Sequence, residues 1–414
     1  MKASRHKSDR LTRRRALARL LGAPSGCALI AHRAWAAPPA SGSRLMETQR
    51  TGAEIIQVTT ERFDQSNIYC EVPYCSKDSR LFVYARRKPD PSPNRTQFVA
   101  VELGSWKQHV IDTAVSLSGC AIRPDGVFYY LKQGSDGQLT IRQVDLADGQ
   151  TKEVYRFEPK WSIRSLGTVS ADGRYYAGGT MTEPGWKIFD IALVDLAEGS
   201  QKILDRDPFI LNPHPQFEPG RGRTLMIQHN RGGRYSADGQ LQRLVGPEGA
   251  TLYLLDVPGG SRTHLQVGKP HTTPCTGHEA WIGTTGRILL SVAAGGAFAP
   301  EKGNLLVVRA GEPAQVMARG YRFGHVGVSR CGRFFCCDDW KTPYRIVVGS
   351  TRTGRCAVVC ESKTSPTGSQ NTHPHPYLTP DLRWVIFNSN RTGFAHIYAA
   401  RVPEGMLDEL DSSA

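Results

Sequence analysis

One short pattern recurs seven times along this chain: an apolar strand, a tight turn rich in Asp, Gly and Arg, and a second apolar strand. Its turns are Cys75-Ser76-Lys77-Asp78-Ser79-Arg80, Arg123-Pro124-Asp125-Gly126, Ser170-Ala171-Asp172-Gly173-Arg174 and Glu218-Pro219-Gly220-Arg221-Gly222-Arg223. The last three are Thr284-Thr285-Gly286-Arg287, Arg330-Cys331-Gly332-Arg333 and Thr379-Pro380-Asp381-Leu382-Arg383. With Ser79, Gly126, Gly173, Gly222, Gly286, Gly332 and Leu382 taken as equivalent, the intervals are 47, 47, 49, 64, 46 and 50 residues. The long interval holds a polar insertion over 232–249. Asp-Gly suits such a turn because Gly accepts positive φ without a steric penalty. The runs that follow, such as LFVYA, VFYYL and WVIFN, are β-branched and aromatic, as half-buried strands prefer.

A second turn follows a third strand in most copies, for example VDLADG, VDLAEG and LDVPGG. Two hairpins in about 47 residues make a four-stranded antiparallel blade, and seven blades make a β-propeller. The last copy ends after its third strand, around 397–402, and the segment EIIQVTT at 54–60 has no other partner. That segment is therefore predicted to add the outer strand of the last blade and close the ring. The predicted organisation is an export leader over 1–36, a linker over 37–53 and an all-β, seven-bladed propeller over 54–410.

Charge and cysteine content narrow the function classes. The formal net charge is +14, but residues 1–36 hold nine Lys/Arg and a single acid. The remainder is only mildly basic, which suits an anionic substrate and excludes a polybasic nucleic-acid surface. Thr12-Arg13-Arg14-Arg15-Ala16-Leu17, the weakly apolar stretch over 16–31 and Ala34-Trp35-Ala36 read as a twin-arginine-type export signal with its cleavage site. A periplasmic or secreted protein is expected, the alternative being a basic leader on a cytoplasmic one. Arg19, Pro24 and Ser25 interrupt the stretch, so no stable membrane insertion is expected. One of the ten cysteines, Cys27, lies in the leader, and the odd number remaining makes no disulfide framework. Cys70 with Cys75 and Cys356 with Cys360 are possible pairs, and buried strand thiols are the alternative. A closed ring leaves no open edge, so a monomer suffices.

The repeat also locates the chemistry. In a four-stranded meander the start of strand one and the end of strand two lie on one face of the ring. At the start of strand one, four consecutive blades carry histidine: His214, His278, His325, and His373 with His375. They precede the aligned turn position by eight, eight, seven, and nine and seven residues. Innermost strands surround the channel, so these side chains converge on one of its ends. The ends of strand two bring His229-Asn230-Arg231 and Asp338-Asp339-Trp340 to the same face, and Gln370 lies three residues before His373. A histidine that recurs at one register can instead be a structural anchor of each turn. The run Gln370-Asn371-Thr372-His373-Pro374-His375-Pro376 fits that reading less well, because prolines stiffen two closely spaced imidazoles. Two imidazoles and a carboxamide oxygen converging with His278 suit a borderline divalent ion with open positions for substrate. His214 and His229 remain for other work, and a neutral imidazole near pH 7 is a natural proton acceptor.

These residues resemble the oligogalacturonate lyase family of seven-bladed polysaccharide lyases, over most of the chain from about Asn67. The likeness rests on Gln370-x-x-His373-Pro374-His375, Gly277-His278-Glu279, His214-Pro215-Gln216-Phe217 and the strand-end His229. It implies a manganese ion held by Gln370, His278, His373 and His375. It implies His229 as the base that takes the C5 proton of a 4-linked uronate, with Arg231 or Arg206 stabilising developing charge. His214, His325, Asp338 and Asn230 are then expected to contact a uronate oligosaccharide. The sequence departs from the family where His229 is followed by Asn230-Arg231-Gly232-Gly233, in place of Glu-Gly-Pro-Trp, and then by the insertion. The departure falls where substrate is gripped, so the expected substrate is oligogalacturonate or a related uronate-containing oligosaccharide. Two other readings compete: a non-catalytic Tol-type or sugar-binding periplasmic propeller, and a metal-dependent hydrolase using the same pocket.

Overall fold

The structure is a computed structural model that describes residues 42–87, 92–159, 161–365 and 369–413. Seven antiparallel sheets follow one another in chain order, at 65–114, 121–156, 167–207, 216–264, 275–318, 323–361 and 377–401. The first six have four strands each, in the order of a meander. Each seam between successive blades is filled by its own cluster of buried apolar side chains, and there are seven such clusters among the described residues. Blade three meets blade four, for instance, through Ile191, Leu193, Leu225, Ile227, Tyr253 and Leu255. The repeat therefore works as such repeats must: no blade buries both faces alone, and each neighbour covers one.

The seven aligned turn residues all adopt left-handed backbone. Their φ values are 58° at Ser79, 91° at Gly126, 73° at Gly173, 62° at Gly222, 71° at Gly286, 74° at Gly332 and 63° at Leu382. The Asp-Gly signature is thus a demand of the turn on φ, which Ser79 and Leu382 meet without glycine.

The ring closes through the amino-terminal segment. Glu54–Gln57 pairs antiparallel with the last strand His396–Arg401, with Ile55 opposite Ala400 and Ile56 opposite Ala399. Two expectations need correction here. Arg44–Thr48, inside the stretch read as a linker, is a fifth strand of blade seven, paired with Glu54–Gln57. The end of the chain, Met406–Asp411, is a short helix beyond the propeller, tied to blade six through Asp411 on Ser350 and Arg333. The insertion forms a hairpin of its own, Arg234–Tyr235 with Leu241–Arg243. All nine cysteines among the described residues are free thiols, eight of them wholly or partly buried. The leader expected over 1–36 lies outside the described residues. No helix among them is long and apolar enough to cross a membrane.

Candidate active site

The strand-one histidines do gather at one end of the channel, around a cavity of about 490 Å³ lined by Tyr69, His214, His278, His375, Gln370 and Arg164, among others. His325, His373 and His375 each offer a ring nitrogen, and these nitrogens lie within 4.8 Å of one another. The His278 ring packs on His325 at 4.1 Å between centroids, and its Nδ1 is 3.2 Å from the Tyr69 hydroxyl. Burial, together with the neighbouring imidazoles, holds His278, His325 and His375 well below the usual histidine range, and burial lowers His373 as well. The rings are thus neutral near pH 7, with lone pairs to donate.

Local structure explains how they are held. His214 and His375 both precede proline and both take φ of 42°, a left-handed conformation uncommon outside glycine. The His325 amide donates to Asp338 Oδ1 at 2.7 Å, and its Nδ1 lies 2.7 Å from Asp338 Oδ2. That carboxylate fixes the tautomer and leaves Nε2 as the donating nitrogen, as in carboxylate–histidine–metal triads. Burial pushes Asp338 up to about 7. His373 Nδ1 and His375 Nε2 are buried with no hydrogen-bond partner. Orphaned buried nitrogens are costly in a folded protein. Three neutral imidazoles with two such nitrogens fit a borderline divalent ion, and the carboxamide of Gln370 stands at the rim in the short turn Gln370–Thr372.

Several expected roles shift. His325, assigned to substrate contact, belongs to the nitrogen trio, whereas His278 stands beside the trio and touches it through His325. Asp338 is fully buried under His325 and supports that ring instead of facing a ligand. His214 does line the cavity, with Asn212 Nδ2 at 2.8 Å from its Nε2 and Glu71 Oε1 at 2.6 Å from its Nδ1. Burial pulls its pKa down, and the Glu71 carboxylate more than offsets this, so the imidazole is raised.

His229 reaches the correct face of the ring but turns away from the imidazoles. In strand Thr224–Asn230 it shares parity with Leu225 and Ile227, which fill the seam with blade three. Its Nε2 lies 2.8 Å from Asp207 Oδ1, and Phe209 and Tyr253 flank the ring. Asn230 is fully buried and its Oδ1 accepts the Asn212 amide, so it shapes the loop, while its buried Nδ2 has no hydrogen-bond partner. Arg231 is spent on the carbonyls of Glu248, Gly249 and Lys269, and Arg206 on Asp190, Glu183 and Thr182.

Arg164 is a cation the repeat argument missed. It lines the cavity, its guanidinium sits 4.0 Å over the Trp186 ring, and it forms no ion pair with a carboxylate among the described residues. Ser118, Arg164 and Ser165 also line an adjoining cavity of about 340 Å³, walled by Ile210, Leu211 and Tyr235. The two spaces make one groove from the imidazoles toward the seam of blades three and four. Trp340, 38% exposed, stands over His325 with its ring 5.2 Å away. A register search would have found part of this set. Glu71, Ser118 and Ser165 each stand eight residues before their turn position, as His214 and His278 do, but a search for histidine alone passes them over.

No protein-family model matches the chain. It is 22% identical over 326 residues to an oligogalacturonide lyase of Pectobacterium atrosepticum, a match covering 68% of this chain and 76% of that protein. It is similar to the structure of an oligogalacturonate lyase in complex with manganese, with a TM-score of 0.69 and 18% identity over 88% of this chain and 97% of that one. An oligogalacturonate lyase structure from Vibrio parahaemolyticus gives a TM-score of 0.67 and 18% identity, over 88% of this chain and 98% of that one. At these identities the structural likeness establishes the shared fold.

Proposed function

We propose that the chain is a metal-dependent polysaccharide lyase that cleaves oligogalacturonate, or a related uronate-containing oligosaccharide, by β-elimination. The observation that carries this reading is the trio His325, His373 and His375, with two orphaned nitrogens, of which His375 lines the first of two adjoining cavities. The similarity to lyases of that substrate, one of them solved with manganese, supports the same choice of ion and substrate. His373, His375 and His325 or His278 would hold the ion, with Gln370 at the rim. Once bound, a divalent ion, manganese by preference, supplies positive charge against the uronate carboxylate and so acidifies the proton on C5.

The remaining steps belong to the chain's own side chains. Arg164 presents an unpaired guanidinium to a second uronate, and Trp340 offers a face to a sugar ring. His229 is the proposed base: Asp207 accepts from Nε2–H, so the neutral ring carries its lone pair on Nδ1. His229 is not among the residues lining either cavity and is flanked by Phe209 and Tyr253, so this role requires the reacting sugar to reach that seam and not to lie deep among the imidazoles. Proton removal from C5 and departure of the 4-linked oxygen leave a 4,5-unsaturated uronate.

The test is incubation with oligogalacturonides and manganese while following the ultraviolet absorbance of the unsaturated product. Wild type should show the rise, and His373→Ala/His375→Ala should abolish it. His229→Ala should slow it ~10²–10⁴-fold, the usual contribution of a positioned base. Absence of any signal from wild type on pectic oligomers overturns the substrate assignment, and full activity in His229→Ala overturns the base.

A further inference from the structure

A second convergent cluster lies in the channel, apart from the imidazole trio. Glu71 of blade one, His214 of blade four and Glu279 of blade five bring two carboxylate oxygens and a ring nitrogen within 4.8 Å of one another. Both Glu residues are at or near full burial, at 5% and 0% exposure. Glu279 is the telling member: neither Oε1 nor Oε2 has a hydrogen-bond partner. The donors in reach are committed elsewhere. Gln216 Nε2 donates to the Glu279 backbone carbonyl at 2.6 Å, and Trp281 Nε1 to the Gln216 carbonyl at 3.1 Å. A carboxylate buried without a donor is among the costlier groups a fold can hold, and a bound cation is one of the few things that satisfies it.

The geometry points to a second divalent-cation site formed by Glu71, His214 and Glu279, distinct from the histidine trio. Two carboxylates and one imidazole are the hard-to-borderline set that manganese or zinc accepts. Ligand bonds of ~2.0–2.2 Å place donor atoms about 3–4 Å apart, so an ion would part His214 Nδ1 and Glu71 Oε1, now hydrogen-bonded at 2.6 Å, while staying within the 4.8 Å span of the cluster. As it stands, Asn212 Nδ2 donates to His214 Nε2 at 2.8 Å and Nδ1–H donates to Glu71 at 2.6 Å; an ion would take the place of the Nδ1 proton, and a turn of the Asn212 amide would bring its Oδ1 to accept from Nε2–H. An ion has access from both sides. His214 borders the groove, and Glu71 borders a cavity of about 300 Å³ on the turn side of the ring, lined also by Gln216 and Trp281. An ion here would link blades one, four and five across the channel, so it would report in stability as well as in stoichiometry.

The experiment counts metal and does not depend on activity. Full-length wild type, His373→Ala/His375→Ala, Glu71→Gln/Glu279→Gln and the combined variant are equilibrated with manganese, and separately with zinc. Bound metal per chain is then measured after removal of the free ion. Two equivalents in wild type, one in each double variant and none in the combination are expected, with the one-site histidine variant still gaining thermal stability from metal. A Glu71→Gln/Glu279→Gln protein that retains the wild-type number overturns the inference and leaves the proposed function intact. Loss in that variant alone, with none in His373→Ala/His375→Ala, sustains the inference and overturns the histidine trio as a metal site. Where the glutamine pair fails to fold, the histidine variant decides: one equivalent retained supports the site, and none overturns it.

Discussion

At the scale of single residues, Asp207 ties the proposed base to stability. It accepts from His229, the Phe209 amide and Arg262, the last at 3.0 Å. Burial alone would raise the carboxyl, and these hydrogen bonds outweigh it and bring it down to about 2. A folded pKa below the unfolded value of ~3.9 means stability that is fully present above about pH 4. It is lost as pH falls from 4 through 2. The shift corresponds to roughly 2–3 kcal/mol at ~1.4 kcal/mol per unit. Urea unfolding at intervals from pH 5 to pH 2 should show Asp207→Asn with a shallower acid limb than wild type by that amount. Parallel limbs would show that the carboxylate is not held as the geometry requires. The same substitution should slow elimination, because an amide no longer dictates which nitrogen of His229 carries the proton.

At the scale of elements, the turns fit one another around the lower rim. A Cβ added at Gly126 would stand 2.8 Å from the Lys77 amide nitrogen of the preceding turn, and one at Gly222 would stand 2.8 Å from the Ser170 side chain. Gly332 meets the Gly283 backbone in the same way. Gly126 and Gly52 have nearly equal φ, 91° and 88°, but a Cβ at Gly52 would meet nothing within 4 Å. Gly52→Ala should therefore cost only the left-handed strain of about 1 kcal/mol. Gly126→Ala should cost a further ~1–3 kcal/mol of overpacking against blade one. Equal losses in chemical denaturation would refute the contact between turns. The turns were legible in the sequence because φ above zero selects glycine so strongly that the requirement is written in composition. The fifth strand Arg44–Thr48 was not, because its outward pattern of Arg, Leu and Glu carries no alternation and its partner lies in the other closing strand. Parity also escaped. Counting from a turn gives the face of the ring, but whether His229 points into the channel or a seam depends on its match with Leu225 and Ile227.

At the scale of the whole molecule, the ring is closed by segments far apart in the chain. Blade seven takes its inner strands from 377–401 and its outer two from Glu54–Gln57 and Arg44–Thr48. This was readable in advance from an unpartnered apolar segment before the first repeat and a last repeat one strand short. The site was less readable, since a register brings Glu71 and His214 to the same level without stating which atoms meet. Closure and site are joined, because His373 and His375 enter from the blade that the amino-terminal strands complete. Ile55 is fully buried against Val385, Tyr398 and Ala400, and also packs with blade six through Ile346 and Val348. Leu45 on the outermost strand is 59% exposed. Ile55→Ala should cost ~2–5 kcal/mol as a buried-chain truncation, and Leu45→Ala less than about 0.5 kcal/mol. An ion held by His373, His375 and a ring from blade five or six would bind the closed ring preferentially. Manganese should therefore raise the unfolding midpoint of Ile55→Ala, and the gain should disappear when His373→Ala/His375→Ala is added and Glu71→Gln/Glu279→Gln removes the other cluster. A midpoint for Ile55→Ala equal to wild type would mean that the closing strand carries no stability, and that the ring is held by its blade seams alone.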